Sequence, residues 1–511
     1  MCGIGAIYGK ASRNTLDKML DLIDHRGPDE NGVWEGPGVM LGHKRLSITG
    51  ISHGRQPIPN ETKRIWVVCN GEIYNHNQLR EDQLGRHSFV GESDCEVVLH
   101  LYEDHGVGAL DFMEGMFAFV LADCRGAKPV IFAARDPLGI KPLYYAVVDG
   151  DMFFASELKC LFDITDDVFE FPPGKYYLTG SGFKSYRTVE SLVAGTVVSE
   201  NADLSEVKAG LREILEESVY THLKADVPVG MFLSGGLDSS LMCSIAKPMQ
   251  KGKLKTFCVG TAGCSDLLAA REVADYLGTE HYEYIYTEDE LWNAIPRVIY
   301  FLESFEPSLV RSAVPNYFLC RLASSYVKAV LSGEGADELF GGYAYMKSIL
   351  GHEKFNQELI RTLETAHNIG LQRLDRMTMA YSMEGRVPFL DEKVVKYTFG
   401  IPAQWKLMEK DGQKIEKWIL REAYSGKGYL PEDILWRTKE EFSEGSGAKD
   451  VLQERLDNSI DDHEFEREQK KILMRDSVSI RTKQELHFYR IFKKFYPQPS
   501  ALKTVGKWAI A

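Results

Sequence analysis

Cys2 stands one residue inside the chain, and Gly3 and Gly5 flank an apolar run from Ile4 to Tyr8. If Met1 is trimmed, a single residue carries both a thiol and a free α-amine. A thiol of pKa about 8.5 is partly ionised at neutral pH, and an α-amine of about 7.7–8.0 is a base able to take its proton. Such a pair is a nucleophile with its own base, suited to opening an amide. The apolar run reads as a buried strand, which holds the terminus rigid. Four other segments offer groups that suit an amino-acid amide. Arg45, within Gly42-His43-Lys44-Arg45-Leu46-Ser47-Ile48, has a planar fork that fits a carboxylate. Asn70-Gly71-Glu72 follows a strand-like run, and its amide side chain and backbone N–H suit a developing oxyanion. Ser93-Asp94 supplies a carboxylate for an ammonium, and His25-Arg26-Gly27-Pro28-Asp29 is a turn rich in hydrogen-bonding groups. Taken singly, each is first a structural feature; an Asn-Gly pair is a turn signal before anything else.

A second set lies further on. Val229-Gly230-Met231-Phe232-Leu233-Ser234-Gly235-Gly236-Leu237-Asp238-Ser239-Ser240 reads as a strand, a glycine turn and a helix start. Gly235 and Gly236 let backbone N–H groups approach an anion, and the helix N-terminus adds a favourable dipole. Ser234, Ser239 and Ser240 add hydroxyls. Asp238 repels phosphate unless a cation such as Mg2+ bridges the two. Neither GxxxxGK[ST] nor GxGxxG occurs, so no P-loop and no dinucleotide fold is indicated. A second acidic cluster, Leu331-Ser332-Gly333-Glu334-Gly335-Ala336-Asp337-Glu338, also follows a strand-like run.

The elements that must hold these groups fall into two parts. Up to about residue 190, short β-type runs (Ile65–Cys69, Met116–Asp123, Val130–Ala134, Pro142–Val147 and Met152–Ala155) alternate with Gly and Pro. They predict packed antiparallel sheets, covered by helices such as Ser93–His105. Residues 191–203 carry no clear period and read as a linker. Beyond it, Leu211, Leu215, Val219 and Leu223 recur at helical spacing. Strand-like runs Val227–Leu233, Lys255–Gly260, His281–Tyr286 and Lys328–Leu331 then alternate with helical segments at about 238–247 and 266–277. That rhythm predicts a parallel, doubly wound sheet with ligand loops at the strands' carboxyl ends. After residue 345 the pattern is mainly helical, and the charged stretch 454–471 reads as a solvated helix face.

With 511 residues, 44% hydrophobic and 26% charged, the chain has material for two cores. Its net charge of −14 argues against a nucleic-acid or acidic-membrane partner. Nine cysteines without CxxC spacing suggest reduced thiols in a cytoplasmic protein and no structural zinc. No apolar run reaches the length of a membrane span, and no signal peptide is evident.

Cys2 and the four segments around it, with Ala134 through Tyr145 and Phe154-Ala155-Ser156-Glu157, resemble the class II (N-terminal nucleophile) glutamine amidotransferase domain. The resemblance implies Cys2 as nucleophile, Asn70 and the Gly71 N–H as oxyanion hole, and Arg45, Glu72 and Asp94 around the glutamine. The loop at Ser234–Ser240 resembles that of ATP pyrophosphatases. Both parts together resemble the glutamine-hydrolysing asparagine synthetases, through Ser265-Asp266-Leu267, Glu384 to Asp391, Lys414 to Arg421 and Arg437 to Ser443. That likeness implies ATP contacts at Leu233, Val259, Ser332 and Gly333, and Mg2+ at Asp238 and Asp337. It places Glu334, Arg386, Lys417 and Lys439 at the acceptor, adenylate or pyrophosphate. The expected fold is an α+β sandwich domain over 1–190, a linker at 191–203 and an α/β doubly wound domain with a helical end over 204–511. The expected substrates are glutamine, aspartate and ATP, and the candidate assembly is a homodimer. Two departures bear on the acceptor: Arg311-Ser312-Ala313-Val314-Pro315 replaces the family's Arg-Ala-Ser-Thr-Pro, and Arg376 stands where a lysine is common. An enzyme of this architecture acting on another carboxylic acid is the alternative.

Overall fold

A computed structural model describes residues 2–195, 202–410 and 412–507. Within them, the first part builds two six-stranded antiparallel sheets. Strand Cys2–Tyr8 sits inside one sheet, between Val39–Arg45 and Asp151–Ala155. Strand Ile65–Ile73 sits inside the other, beside Gly115–Asp123. Alternation along the central strands explains why they read as continuous apolar runs. Val68 and Val120 enter the layer between the sheets with Ile4, Ala6, Leu41 and Phe154. Val67, Cys69, Phe119 and Leu121 face the other way, onto Val98 and Leu101 of the helix Val97–His105. Both faces are buried, so no polar stripe marks them. The covering helix begins later than its sequence suggests, because Asp94–Glu96 form a tight 3-10 turn before it.

Past the sandwich the character changes. Five parallel strands run in the order Glu280–Ile285, Lys255–Gly260, Val229–Phe232, Ala329–Leu331, Glu384–Arg386. In chain order this is 3-2-1-4-5, so the winding reverses between Val229–Phe232 and Ala329–Leu331, where a doubly wound sheet opens a crevice. The helix Leu204–His222 buries Val207, Leu211, Leu215 and Val219, the stripe expected from its spacing. The fifth strand, Glu384–Arg386, is not among the sequence's predicted strands; three residues are too few to show a period. Of the expected linker, residues 196–201 lie outside the described residues, and Val189–Val193 is a short helix. The charged stretch falls on Ala448–Ser459 and Asp462–Asp476, the second of which buries Ile472 and leaves its acidic and basic residues outward.

Among the described residues, no helix is long and apolar enough to cross a membrane. All nine cysteines are free thiols.

Candidate active sites

The antiparallel register places Cys2 opposite Arg45, and the neighbouring sheet brings Asn70 to the same point. The Cys2 backbone nitrogen donates to Asn70 Oδ1 at 2.9 Å. Asn70 is wholly buried, and its Nδ2 has no hydrogen-bond partner among the described residues. An unsatisfied buried donor costs stability, so one aimed beside a nucleophile suits charge that appears only during reaction. Gly71, next along the strand, has no room for a side chain: a Cβ there would lie 2.1 Å from the Met116 carbonyl oxygen.

The thiol itself corrects a sequence expectation. Burial pushes Cys2 up to about 11, so it rests protonated and not partly ionised. Its proton must leave as the sulfur attacks, which makes the adjacent base essential.

Around this point, Asp94 accepts from the Ile73 N–H at 2.7 Å. Burial, then the charges of Asp94 and Glu384, push Glu72 up to about 8. An ammonium among these carboxylates would relieve their crowding. Arg45 donates to the carbonyls of Thr49, Gly50 and Ile51 and to Glu30, so much of its fork shapes the 49–51 loop.

The second site opens at the reversal of the parallel sheet as a cavity of about 220 Å³. Leu233, Ser234, Gly236, Asp238, Ser239, Val259, Ser332, Gly333, Glu334, Asp337, Lys417 and Lys439 all line it. Gly235 does not line it but makes the turn: its φ is +72°, and a Cβ would lie 2.4 Å from that of Ala269. Gly333 brings the two loops together, with room for a Cβ only 2.9 Å from that of Asp238. Ser239 Oγ donates to the Gly236 carbonyl at 3.2 Å, closing the loop onto the first turn of Leu237–Ala246.

Lys417 Nζ lies 2.5 Å from Asp238 Oδ2 and 2.6 Å from Asp337 Oδ1, and Lys439 Nζ lies 2.8 Å from Asp337 Oδ2. Burial works against ionising Asp337, but the ammoniums of Lys417 and Lys439 overcome it and hold the carboxyl far below its usual range. Lys417 is held at φ +55°, a left-handed conformation costly for a side-chain-bearing residue. The other oxygen of Asp238, Oδ1, is buried without a hydrogen-bond partner. A hard divalent cation shared with a polyphosphate fits such a donor set.

Two placements lie outside the sequence reading. Arg386, expected at the acceptor, adenylate or pyrophosphate, does not line the cavity. It is fully buried, donates to Glu384 and to the carbonyls of His222 and Lys224, and lies 3.3 Å from Glu72. Its motif is the fifth strand, and charge alone does not say which way a strand side chain turns. Arg373, which the sequence reading passed over, lines the cavity and ion-pairs with Glu334. It sits on an amphipathic helix, Gly370–Met379, with nothing to mark it from a surface charge.

Comparison with known proteins matches both parts. Residues 1–208 match the glutamine amidotransferase domain family, and residues 210–353 and 347–504 match the asparagine synthase family. Asparagine synthetase (glutamine-hydrolyzing) 3 of Arabidopsis thaliana is 39% identical over 528 residues, spanning 99% of this chain and 89% of its own. The second such enzyme of Oryza sativa subsp. japonica is 38% identical, spanning 99% of this chain and 87% of its own. A probable asparagine synthetase of Dictyostelium discoideum is 37% identical, spanning 99% of this chain and 96% of its own. With likeness running through both sites, the chain belongs to the glutamine-hydrolysing asparagine synthetases.

Proposed function

We propose that the chain makes asparagine from aspartate, ATP and the amide nitrogen of glutamine. In the first site Cys2 Sγ attacks the glutamine side-chain carbonyl as its proton passes to the Cys2 α-amine, freed by loss of Met1. The oxyanion is received by Asn70 Nδ2, the buried donor without a partner, and by the Gly71 N–H. Collapse expels ammonia and leaves a glutamyl thioester, which water hydrolyses to glutamate. Arg45 binds the glutamine carboxylate, and Glu72 and Asp94 receive its ammonium.

In the second site the aspartate side-chain carboxylate attacks the α-phosphorus of ATP and pyrophosphate leaves. Ammonia then attacks the acyl carbon of the mixed anhydride, and AMP leaves with the carbonyl–oxygen bond. The turn Ser234–Ser239 and the Ser332-Gly333 loop hold the nucleotide, with Leu233 and Val259 beside it. Lys417 and Lys439 offset charge on the departing pyrophosphate, and Glu334 is positioned by Arg373. Asp238 and Asp337 would hold Mg2+, which when bound screens the triphosphate from both carboxylates.

One observation carries the coupling of the two sites. Arg26 donates to the Cys2 carbonyl at 3.0 Å and to Asp375, whose helix presents Gly370 and Arg373 to the second cavity. Free ammonia is mostly protonated in neutral water, so transfer inside the protein preserves the nucleophile. We also propose a cytoplasmic setting, in keeping with nine free thiols, the domain division at residues 191–203, and a homodimer, which sedimentation of the purified chain tests.

Glutamine labelled with 15N at the amide, supplied with ATP and aspartate, tests the whole scheme. The label should appear in asparagine, with AMP and pyrophosphate formed in equal amounts. Release of ADP, or pyrophosphate release that depends on a different carboxylic acid, refutes it.

A further inference from the structure

Away from both sites, on the outer side of the first domain, two histidines and two glutamates converge. Glu61 follows the short strand Ile58–Pro59, His87 lies in the loop after the helix His76–Asp82, and His100 and Glu103 share one face of Val97–His105. One side-chain ligand atom from each lies within 4.8 Å of all the others. His87 Nδ1 is 3.2 Å from Glu61 Oε1 and 3.9 Å from Glu103 Oε2. His100 Nδ1 is 3.3 Å from Glu103 Oε2 and 3.9 Å from Glu61 Oε1. A tetrahedral zinc ion with ligand bonds near 2.0–2.1 Å has its ligands about 3.3–3.4 Å apart. Two of the four separations, 3.2 and 3.3 Å, match that edge length, and the two of 3.9 Å would have to close by about 0.5 Å around the ion.

The surroundings are those of a held metal ligand set. His87 Nε2, the far side of the ring, is 3.1 Å from Asp104 Oδ1, the carboxylate–histidine arrangement that fixes a ligand's tautomer. Glu103 Oε1 accepts from Asn60 Nδ2 at 2.8 Å, which turns its other oxygen toward the histidines. Glu61 accepts from the Ser88 N–H at 2.8 Å.

Charge gives an independent reason. Arg86 pairs with Asp104, but among the described residues Glu61 and Glu103 have no guanidinium or ammonium within 4 Å. The two imidazole rings lie between these carboxylates, tilted by 31° with centroids 4.4 Å apart. His100 is wholly buried, and its Nε2 has no hydrogen-bond partner among the described residues, Glu96 Oε1 lying 3.7 Å away. One divalent cation between the Nδ1 atoms answers both carboxylates. Two imidazoles with two carboxylates and no thiol suit the zinc class of ion.

We propose that Glu61, His87, His100 and Glu103 form a structural site for one zinc ion. It would tie the 85–93 loop to the helix Val97–His105, and so brace the turn that carries Asp94. It runs against the expectation of no structural zinc, which rests on cysteine spacing, because no cysteine takes part.

Chelator-stripped full-length protein titrated with Co2+ tests the site, followed by displacement with Zn2+ and by thermal melting with and without zinc. One Co2+ per chain should give the intense visible bands of a tetrahedral ion, without thiolate charge-transfer absorption, and zinc should abolish them. Zinc should raise the melting temperature of the wild-type chain. His87→Ala and Glu61→Gln should lose the bands and melt alike with or without zinc. Asp104→Asn should keep the bands and bind zinc 10–100-fold more weakly. A cooperative thermal melt together with measurable glutamine hydrolysis certifies that the first domain of each variant is folded; Glu61→Gln, at the more exposed position, is decisive if His87→Ala does not fold. A folded wild-type chain that takes up no stoichiometric metal, or a Glu61→Gln chain that binds as tightly as wild type, overturns the proposal.

Discussion

The Arg26 guanidinium grips the Asp375 carboxylate through two hydrogen bonds of 2.8 and 3.0 Å, although the residues are 349 positions apart. Its Nε reaches the Cys2 carbonyl at 3.0 Å, and its Nη1 also binds Glu157 at 2.8 Å. Arg376, next to Asp375, binds Glu303 at 2.9 Å, and Glu303 in turn binds Lys159 at 2.9 Å. All of these groups are buried, so each charge relies on its partner for solvation. The nucleophile's strand and the helix that enters the second cavity are therefore joined by one ion network.

Removing a single member should be costly. Asp375→Ala leaves Arg26 short of a counter-charge and should destabilise the protein by about 3–5 kcal/mol, read by chemical denaturation. Asp375→Asn, which keeps a hydrogen-bonding shape, should lose less.

The same network predicts acid sensitivity. Burial alone would raise Asp375, but Arg26 overcomes it and holds the carboxyl below its ordinary value. Burial likewise opposes ionisation of Glu157, and the charges of Lys159, His25 and Arg376 depress it strongly. Both folded values lie below the unfolded ones, so their contribution is complete above the unfolded range of about 4 and is lost as pH falls from there through the lower folded values. The wild-type melting temperature should drop below about pH 4.5 more steeply than that of Asp375→Asn. Parallel curves would show that Asp375 does not take part.

Cys2→Ala should abolish glutaminase activity and glutamine-dependent synthesis together, by several orders of magnitude. Synthesis from added ammonium should persist, because the second site does not use the thiol. Mass spectrometry of the wild-type protein should show Met1 removed, since a peptide bond at the Cys2 nitrogen would take away the base. Glutamine hydrolysis at the wild-type rate in the alanine variant is the outcome that would reject this nucleophile.

Asn70→Ala removes the buried donor that has no partner at rest. Its loss should lower glutaminase kcat by about 10²–10³-fold, as for other oxyanion donors. KM should change much less, because the interaction is made mainly in the transition state. A rise in KM with unchanged kcat would reassign Asn70 to substrate binding.

At the other site, Asp238→Asn should nearly eliminate pyrophosphate release and synthesis while sparing glutamine hydrolysis. The carboxylate oxygen left without a partner is the one proposed for the cation, and an amide supplies no charge to hold it. Magnesium titrations of the two chains should separate this role from a structural one: raising Mg2+ should partly restore the variant if cation affinity is what it lost.

Much of this was legible in the amino-acid order, and the reason is local. Ile4–Tyr8 and the Ser234–Ser240 turn declare themselves because burial, glycine freedom and helix starts depend on neighbours along the chain. The doubly wound sheet also followed from local rhythm, strand by helix by strand. What the order could not tell was which way side chains turn and what meets across long separations. Resemblance places Arg386 at the acceptor, adenylate or pyrophosphate, yet the fifth strand turns it toward Glu72. Arg373 looked like any helix charge until the helix brought it to Glu334. The Cys2 thiol has an ordinary acidity in isolation, and it is burial, more than any neighbouring charge, that pushes it up to about 11. Residue type and spacing thus determined the chemistry available and the class of fold. Tertiary packing alone decided orientation, desolvation and the Arg26–Asp375 joint, because each depends on distances that close only when remote segments share one interior.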